Sequence, residues 1–564
     1  MNKKDVYILG LTCLGGHDSC AALLKNGEIV AAAEEERFTR VKFDRSFPKN
    51  SISWCLKSAG ISIDEVSHAG FFWLPWSGIL KRGFYMMRGF PNSFQKTSAK
   101  GSTFIDLIFV EKTLRQETGF QGRFHYFNHH LTHAASVFFS SGFEKAAIVS
   151  IDGTGEKITC WIGEGDGISL KEYKTIRWPH SVGLLYTVAT QYLGFNVFSD
   201  EYKVMGLSAY GKPTYIDEFR KILKSTKHGS FELDVRYFDY IYYKEPMYSK
   251  KWIKTFGPAR GETDKMEKRH MDIASSLQTR LEEVLRDICI YALNKRGSGP
   301  LCLTGGVALN SLAVGKIADL EITDVYTSPV SDDSGCALGA AYYIYHCILG
   351  YPRKKPLTHA YLGSGFTKKE IEQALKKAKL SYKRIHNPQH LAARFISKGH
   401  VIGWYQGNSE IGQRALGNRS ILADPRDKKM KDHVNMMIKY RESFRPFAPA
   451  ILEEYQSEYF QWNKPVPYMT EVHVIRPEKR KIIPAVTHID GTGRLQTVTK
   501  KTNRVFWDLV NEFRIMTGVP VVLNTSFNIK GEPIVDSPSD AIHTFLNSGI
   551  DDLFLENYWI SKKY

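Results

Sequence analysis

Across 564 residues the sequence has no C-x-x-C pair, no apolar run long enough to span a bilayer and no polybasic tract. The first absence counts against zinc knuckles and dithiol redox motifs. The eight cysteines (Cys13, Cys20, Cys55, Cys160, Cys289, Cys302, Cys336 and Cys347) lie mostly in apolar or small-residue runs, so reduced, buried thiols are expected. The second absence excludes a transmembrane helix, which needs about 18 or more consecutive apolar residues. The start, MNKKDVYILGLTCLGGHDS, passes from a short basic tip into a strand-like run without the features of a secretory signal, and a cytoplasmic protein is expected. The third absence means that the net charge of +17 is dispersed. It would attract nucleotides, phosphorylated substrates, nucleic acid or a membrane surface, and selects none of them.

What the chain does contain is a recurring glycine turn. Residues 6–35, VYILGLTCLGGHDSCAALLKNGEIVAAAEE, read as strand, small-residue turn, strand, Asn26-Gly27 hairpin and strand. Residues 146–176 repeat the layout, with SIDGTGE as the first turn and Gly165-Asp166-Gly167 as the hairpin. Such a repeat suggests a duplicated nucleotide-binding fold that offers backbone N–H groups to phosphate; two ordinary hairpins are the alternative. A third turn, PLCLTGGVALNSLAVGKI, runs from a strand through Gly305-Gly306 into a helix expected near Ala308, an arrangement suited to an anion. A fourth, SPVSDDSGCALGAA, places Asp332 and Asp333 before Gly335.

The basic, proline-bearing stretch 350–365 marks a boundary. The division expected is 1–355 and 366–564. The second part carries its own strands (HVIGWYQG, GVPVVLNTSFN) and helices, the first of them opened by Thr367. The aromatic and basic stretch FFWLPWSGILKRGFYMMRGFPNSF reads as a core insertion, an acceptor-binding lid or an interfacial segment.

Three histidines crowd into NHHLTHAAS. On a helix His129 and His133 share one face, about 6 Å apart at Cβ, while His130 points elsewhere. An i, i+4 imidazole pair can hold a divalent metal, although by itself such a pair more often reflects helix packing. Asp152 and Asp333 lie in the second and fourth glycine turns. Two nitrogens and two carboxylates would suit six-coordinate Fe(II) or Mn(II) better than closed tetrahedral zinc, unless each Asp is only a turn residue.

Over nearly its full length the chain resembles the O-carbamoyltransferase family of nodulation-factor and antibiotic (tobramycin, cephamycin, ansamycin) carbamoyltransferases. The resemblance rests on ordered blocks: GGHDSCAALLKNGEIVAAAEEERFTRVK, HHLTHAAS, SIDGTGE, EYKVMGLSAYGKP, TGGVALN and DDSGCALGAA, then QRALGNRSILADPR, YRESFRPFAPA, HIDGTGRLQTV and LNTSFNIKGEPIVDSPSDA. It implies an α/β protein with a duplicated actin/hexokinase-like domain followed by a YrdC-like α/β domain. It also implies that His129, His133, Asp152 and Asp333 bind the metal, with Fe(II) favoured, and leaves His130 open.

The resemblance further implies that carbamoyl phosphate becomes carbamate, attacks ATP (accompanied by Mg(II)) and forms carbamoyl adenylate. The carbamoyl group then passes to a hydroxyl of a small-molecule or sugar acceptor. The first step gathers anions and calls for fixed cations: Arg414, Lys439, Arg441 and Arg494, with Ser526 and Asn528 as the Ser-x-Asn element. The second calls for a base, for which His17 is the candidate, with Asp18 beside it. Gly153, Thr154, Gly206, Gly305, Gly306 and Asn310 are expected to cradle the nucleotide. Two other readings stay open: transfer to nitrogen, as in tRNA threonylcarbamoylation, and an actin-like regulatory ATP module. Nucleic acid is disfavoured as a partner, a homodimer is compatible with the chain, and segments 71–101 and 214–265 are expected to shape the acceptor pocket.

Overall fold

Asn26 and Gly27 both take positive φ, 51° and 83°, the backbone twist that a two-residue turn needs to join two right-twisted strands. The computed structural model describes residues 5–14, 18–88, 106–226, 228–320 and 324–562. They fold into two units. The first comprises Met1–Glu35 and Arg45–Pro356, the second Glu36–Asp44 and Leu357–Tyr564.

In the first unit, strands β1 (Tyr7–Thr12), β2 (Cys20–Lys25), β3 (Glu28–Glu34), β4 (Val66–Phe71) and β5 (Arg123–Tyr126) form one mixed sheet in the order β3-β2-β1-β4-β5. A second sheet uses β6 (Lys145–Ile151), β7 (Ile158–Asp166) and β8 (Ser169–Arg177). After a hairpin of β9 (Leu223–Thr226) and β10 (Ser230–Leu233), it is completed by β11 (Leu301–Thr304) and β12 (Val325–Thr327). Its order, β8-β7-β6-β11-β12, repeats the first. So do the directions: the first three strands of each set are antiparallel, and the last two join parallel. The repeated layout seen in the sequence is thus repeated in space.

The principal helices of this unit are α1 (Lys49–Ala59), α2 (His129–Ser140), α3 (Val182–Tyr192), α4 (Lys268–Arg296), α5 (Ser311–Ala318) and α6 (Gly335–Tyr343). Helix α6 packs on β1, β2 and β4, α2 packs on β6, β7 and β11, and the two helices pack on each other. Close packing here depends on missing side chains. A Cβ on Gly10 of β1 would lie 1.8 Å from the Ala337 carbonyl oxygen, and one on Gly339 1.8 Å from that of Thr132. Both helices are buried along nearly their whole length, which fits their small, apolar composition.

One expected helix start is displaced. Residues 306–309 form a separate 3-10 turn, and α5 opens at Ser311 because the Asn310 side chain accepts the Ala313 N–H and caps it there. The eight cysteines are free, and all but the half-buried Cys347 are buried. In the stretch from 71 onward, Phe71, Phe72 and Trp73 join the core, whereas Trp76, Phe84 and Met87 are exposed. Residues 89–105 lie outside the described residues. In DVRYFDYIYYKEPMY, Tyr237, Phe238 and Tyr240 are buried, and Tyr237 and Phe238 pack on the buried Trp252. No helix among the described residues is long and apolar enough to cross a membrane.

The second unit has an eight-stranded mixed sheet. Its strands are β13 (Lys383–Arg384), β14 (Ile402–Tyr405), β15 (Arg419–Ala423), β16 (Ala448–Leu452), β19 (Gln496–Val498), β20 (Val521–Ser526), β21 (Asp552–Leu555) and β22 (Tyr558–Ser561), while β17 (Val472–Val474) and β18 (Thr492–Arg494) pair separately. Helix α7 (Lys368–Lys377) opens, as its sequence suggests, with Thr367 accepting the Glu370 N–H. Helices α8 (Pro388–Ser397), α9 (Arg504–Thr517) and α10 (Pro538–Leu546) follow, and α8 packs on α9 around a core that includes Trp404, Phe513 and Phe527.

Replacing Gly339 by Ala should cost about 1–3 kcal/mol, because neither helix can yield without opening the core. Gly142→Ala, at a site with nothing within 4 Å of the added carbon, should stay within about 0.5 kcal/mol of the parent. Chemical unfolding of the two variants side by side measures the difference.

Candidate functional site

The four residues that the first unit brings together come from three elements. His129 and His133 stand one turn apart on α2, with ring centroids separated by 4.6 Å. Asp152 directly follows β6, and its Oδ2 lies 3.3 Å from His129 Nε2 and 3.1 Å from His133 Nε2. Asp333 precedes α6, with Oδ1 3.6 Å from both Nε2 atoms. One ligand atom from each lies within 4.8 Å of the others. Both imidazoles are buried, and the mixed nitrogen and oxygen donor set suits a divalent ion that keeps positions open for other oxygens.

The electrostatics match that donor set. Burial opposes the charged form of His129, but the charges of Cys336 and Asp333 and the Asp152 hydrogen bond outweigh it and raise its pKa to about 10. His133 is raised by Cys336, Asp152 and Asp333 against the same burial. Asp152, despite burial, is held well below the ordinary carboxylate range by the two histidines.

His130 has a different task. Its Nε2–H donates to the Ile158 carbonyl at 3.0 Å, and its Nδ1 accepts from the Ser150 hydroxyl at 2.8 Å. Burial and its two histidine neighbours lower its pKa to about 3, so it is a neutral structural residue. Two supports had no sequence signal of their own. Glu156 accepts the His129 N–H at 3.1 Å, the Asn128 Nδ2–H at 2.8 Å and the Leu74 N–H at 2.8 Å, which fixes the start of α2. Cys336 Sγ lies 4.0 Å from His129 Nδ1, and with His129 and His133 it forms a second group whose ligand atoms lie within 4.8 Å of one another.

The second and third glycine turns lie against this cluster, the second with Gly155 beside His129. A Cβ on Gly306 would come within 2.8 Å of Asp152 Oδ1, so the Gly305-Gly306 turn lies against the carboxylate. The Gly153 N–H donates to Asp152 Oδ1 at 2.6 Å, and the Thr154 hydroxyl to the Gly155 carbonyl at 2.9 Å. Gly206 sits half-buried within the helix Glu201–Ser208. The Asn310 side chain exchanges hydrogen bonds with Gln278 and caps α5. Asp18 is half-buried, and its carbonyl accepts the Thr12 hydroxyl at 2.8 Å. His17 lies outside the described residues.

The second unit gathers cations. Lys439 is buried, and four neutral oxygens lie within hydrogen-bond distance of its three N–H groups: Ser526 O (2.7 Å) and Oγ (3.2 Å), and Asn528 O (2.8 Å) and Oδ1 (2.7 Å). Burial, then the charges of Arg441, Arg445 and Lys42, push its pKa well below the ordinary lysine value. Arg494, at the end of β18, is likewise pushed down by burial and by Arg414, Arg441 and Arg445, and its buried Nε has no hydrogen-bond partner among the described residues. Arg441 is oriented by Asn435 Oδ1, which accepts its Nε–H at 2.6 Å, and by the Phe447 ring 4.5 Å away. Arg445, four residues after Arg441 in YRESFRP, belongs to this group although its role is not evident from the sequence. Glu442 Oε2 lies 3.6 Å from Arg445 Nη1, and the rest of this positive charge favours a polyanion among the side chains.

The chain matches two family descriptions: carbamoyltransferase N-terminus over residues 7–342 and carbamoyltransferase C-terminus over residues 393–562. An uncharacterized protein of Synechocystis sp. is 38% identical over 596 residues, which covers 99% of this chain and 97% of its own. The nodulation protein NolNO of Sinorhizobium fredii is 36% identical over 570 residues, covering 97% of this chain and 79% of its own. Among solved structures, (R)-2-hydroxyglutaryl-CoA dehydratase component A of Acidaminococcus fermentans overlaps 61% of this chain and 99% of its own at 16% identity. Its TM-score of 0.33 is too low to carry an argument. With both halves of one enzyme family matched in order along the chain, the protein belongs to the carbamoyltransferase family.

Proposed function

We propose that this carbamoyltransferase is ATP-dependent and acts on oxygen. Carbamoyl phosphate and ATP give carbamoyl adenylate in the second unit, and the carbamoyl group then passes to a hydroxyl of a small-molecule or sugar acceptor at the first. The observation that carries this reading is the gathering of Arg414, Arg441, Arg445 and Arg494 around the buried Lys439, which is held by Ser526 and Asn528. Cations fixed this closely together are suited to a reaction that assembles two phosphorylated substrates.

In the first step water releases phosphate from carbamoyl phosphate. A carbamate oxygen then attacks the α-phosphorus of ATP, which enters with Mg(II), and pyrophosphate departs. Arg414, Arg441, Arg445 and Arg494 would neutralise the negative charge that builds on the phosphoryl oxygens, and Lys439, fixed by Ser526 and Asn528, would be a preplaced donor whose charged form a bound anion favours. In the second step the acceptor oxygen attacks the carbamoyl carbon, AMP leaves, and the hydroxyl proton passes to a base, for which His17 is the candidate and Asp18 its neighbour. His129, His133, Asp152 and Asp333 would hold a divalent ion, Fe(II) favoured and Mn(II) the alternative, whose contribution is Lewis acidity toward the adenylate. Gly153, Thr154, Gly305 and Gly306 would leave space and backbone donors for phosphate beside it. The actin/hexokinase-like reading of the first unit draws support from its repeated strand order. The YrdC-like reading of the second rests on the sequence resemblance.

Three outcomes test this. Arg494→Ala or Lys439→Met should slow carbamoyl-phosphate-dependent release of pyrophosphate from ATP by about 10²–10³-fold, the loss typical of one preorganised charge contact. Cleavage of ATP to ADP without dependence on carbamoyl phosphate would overturn the reading. His133→Ala and Asp333→Ala should lose bound metal by elemental analysis, and with it acceptor carbamoylation, while retaining pyrophosphate release. His17→Asn should also retain pyrophosphate release and lose transfer to the acceptor; full transfer in that variant ends its assignment as the base.

A further inference from the structure

The segment Glu36–Asp44 follows β3 and precedes α1, yet it folds with the second unit. Its sequence, ERFTRVKFD, has no role in the chemistry above. Its ends are drawn together: the Phe43 N–H donates to Glu36 Oε2 at 2.9 Å, and the Thr39 hydroxyl donates to Asp44 Oδ2 at 2.6 Å. Between them, two arginines reach backbone carbonyls far along the chain.

Arg37 is 3% exposed, and its Nη2–H donates to the Gly412 carbonyl at 2.7 Å. Gly412 stands two residues before Arg414. The far side of that loop is fastened separately, since Glu410 Oε1 accepts the N–H groups of Leu416 (2.7 Å), Asn418 (2.7 Å) and Arg419 (3.3 Å). Arg40 donates from Nη1 to the Ile534 carbonyl at 2.7 Å and from Nη2 to the Pro533 carbonyl at 3.0 Å, with its Nε 3.6 Å from Asp540 Oδ1. That stretch closes the loop carrying the lysine's oxygen partners: the Asn528 Nδ2–H donates to the Glu532 carbonyl at 2.7 Å, and the Val535 N–H to the Phe527 carbonyl at 2.9 Å.

One short segment therefore grips two of the loops around the cations, the one that carries Arg414 and the one that carries Ser526 and Asn528. The need for a grip is physical. Arg414, Arg441, Arg445, Arg494 and Lys439 repel one another, and repulsion would spread the loops whenever no anion holds them. A guanidinium fork spanning two successive carbonyls restrains a loop in a way that a lysine ammonium cannot.

We infer that Arg37 and Arg40 are positioning residues of the anion pocket, holding the Arg414 loop and the Ser526–Asn528 loop in the geometry that receives carbamoyl phosphate. This rests on the proposed function of the pocket. The charge of Lys42, in the same segment, also acts on Lys439.

The test uses the full chain, with Arg37→Gln, Arg40→Gln and Arg37→Lys beside the parent. Inorganic pyrophosphate and carbamoyl phosphate are titrated calorimetrically, and KM and kcat are measured for pyrophosphate release. The expected result is an about tenfold or greater loss of affinity for both probes in the Gln variants, the scale of a lost charge-assisted hydrogen bond. KM should rise more than kcat falls, the melting temperature should stay near that of the parent, and Arg37→Lys should recover part of the loss. Unchanged affinities in the folded Gln variants would overturn the inference. So would a fall in kcat alone that follows a loss of folded protein. If Arg37→Gln fails to fold, Arg40→Gln, whose side chain is 26% exposed, gives the same reading. A parent that binds neither probe would overturn the pocket's proposed function and this inference with it; a parent that binds both while the variants match it would overturn this inference alone.

Discussion

The first unit depends on how closely backbone can approach backbone around α6. Gly10 on one side and Gly339 on the other remove the atoms that would hold β1, α6 and α2 apart. Because α2 carries His129 and His133, and the turn before α6 carries Asp333, the spacing of two helices sets the spacing of three of the four clustered side chains. The second sheet then delivers Asp152 at the end of β6. Small residues that look like mere packing thus carry the metric of the site: a displacement of about 1 Å in either helix would be passed directly to the donors, since tightly packed interiors transmit strain.

The second unit uses the opposite principle. Its site is held together against its own electrostatics. Lys439 is solvated by protein oxygens in place of water, and Arg494 keeps a buried N–H group without an acceptor among the described residues. Such an arrangement costs stability, and the surrounding sheet and core are extensive enough to hold it.

Much of this was legible from local pattern. The Asn26-Gly27 hairpin, the repeated three-strand layout, the Thr367 cap and the i, i+4 histidines each depend on residues within a turn of one another, and local chemistry specifies them. What could not be read depends on long-range contact. Glu156 reaches the start of α2 from the turn before β7, and Arg37 and Arg40 meet acceptors 375 and 494 residues away. No periodicity marks such partners. The displaced start of α5 is a smaller case: the glycine pair suggested a helix at once, but Asn310 is the better cap, and the intervening residues form a tighter turn. His130, the residue left open, is explained only by its two acceptor and donor partners on neighbouring strands.

The second unit is discontinuous in sequence. Cutting the chain near residue 356 would produce a fragment that retains the large sheet but omits Glu36–Asp44, and with it both guanidinium clamps. Dissection into halves would therefore yield a carboxyl-terminal piece with an intact scaffold and slackened loops. Inactivity of such a piece would reflect a missing splint, and a faithful excision would have to graft the amino-terminal loop onto it.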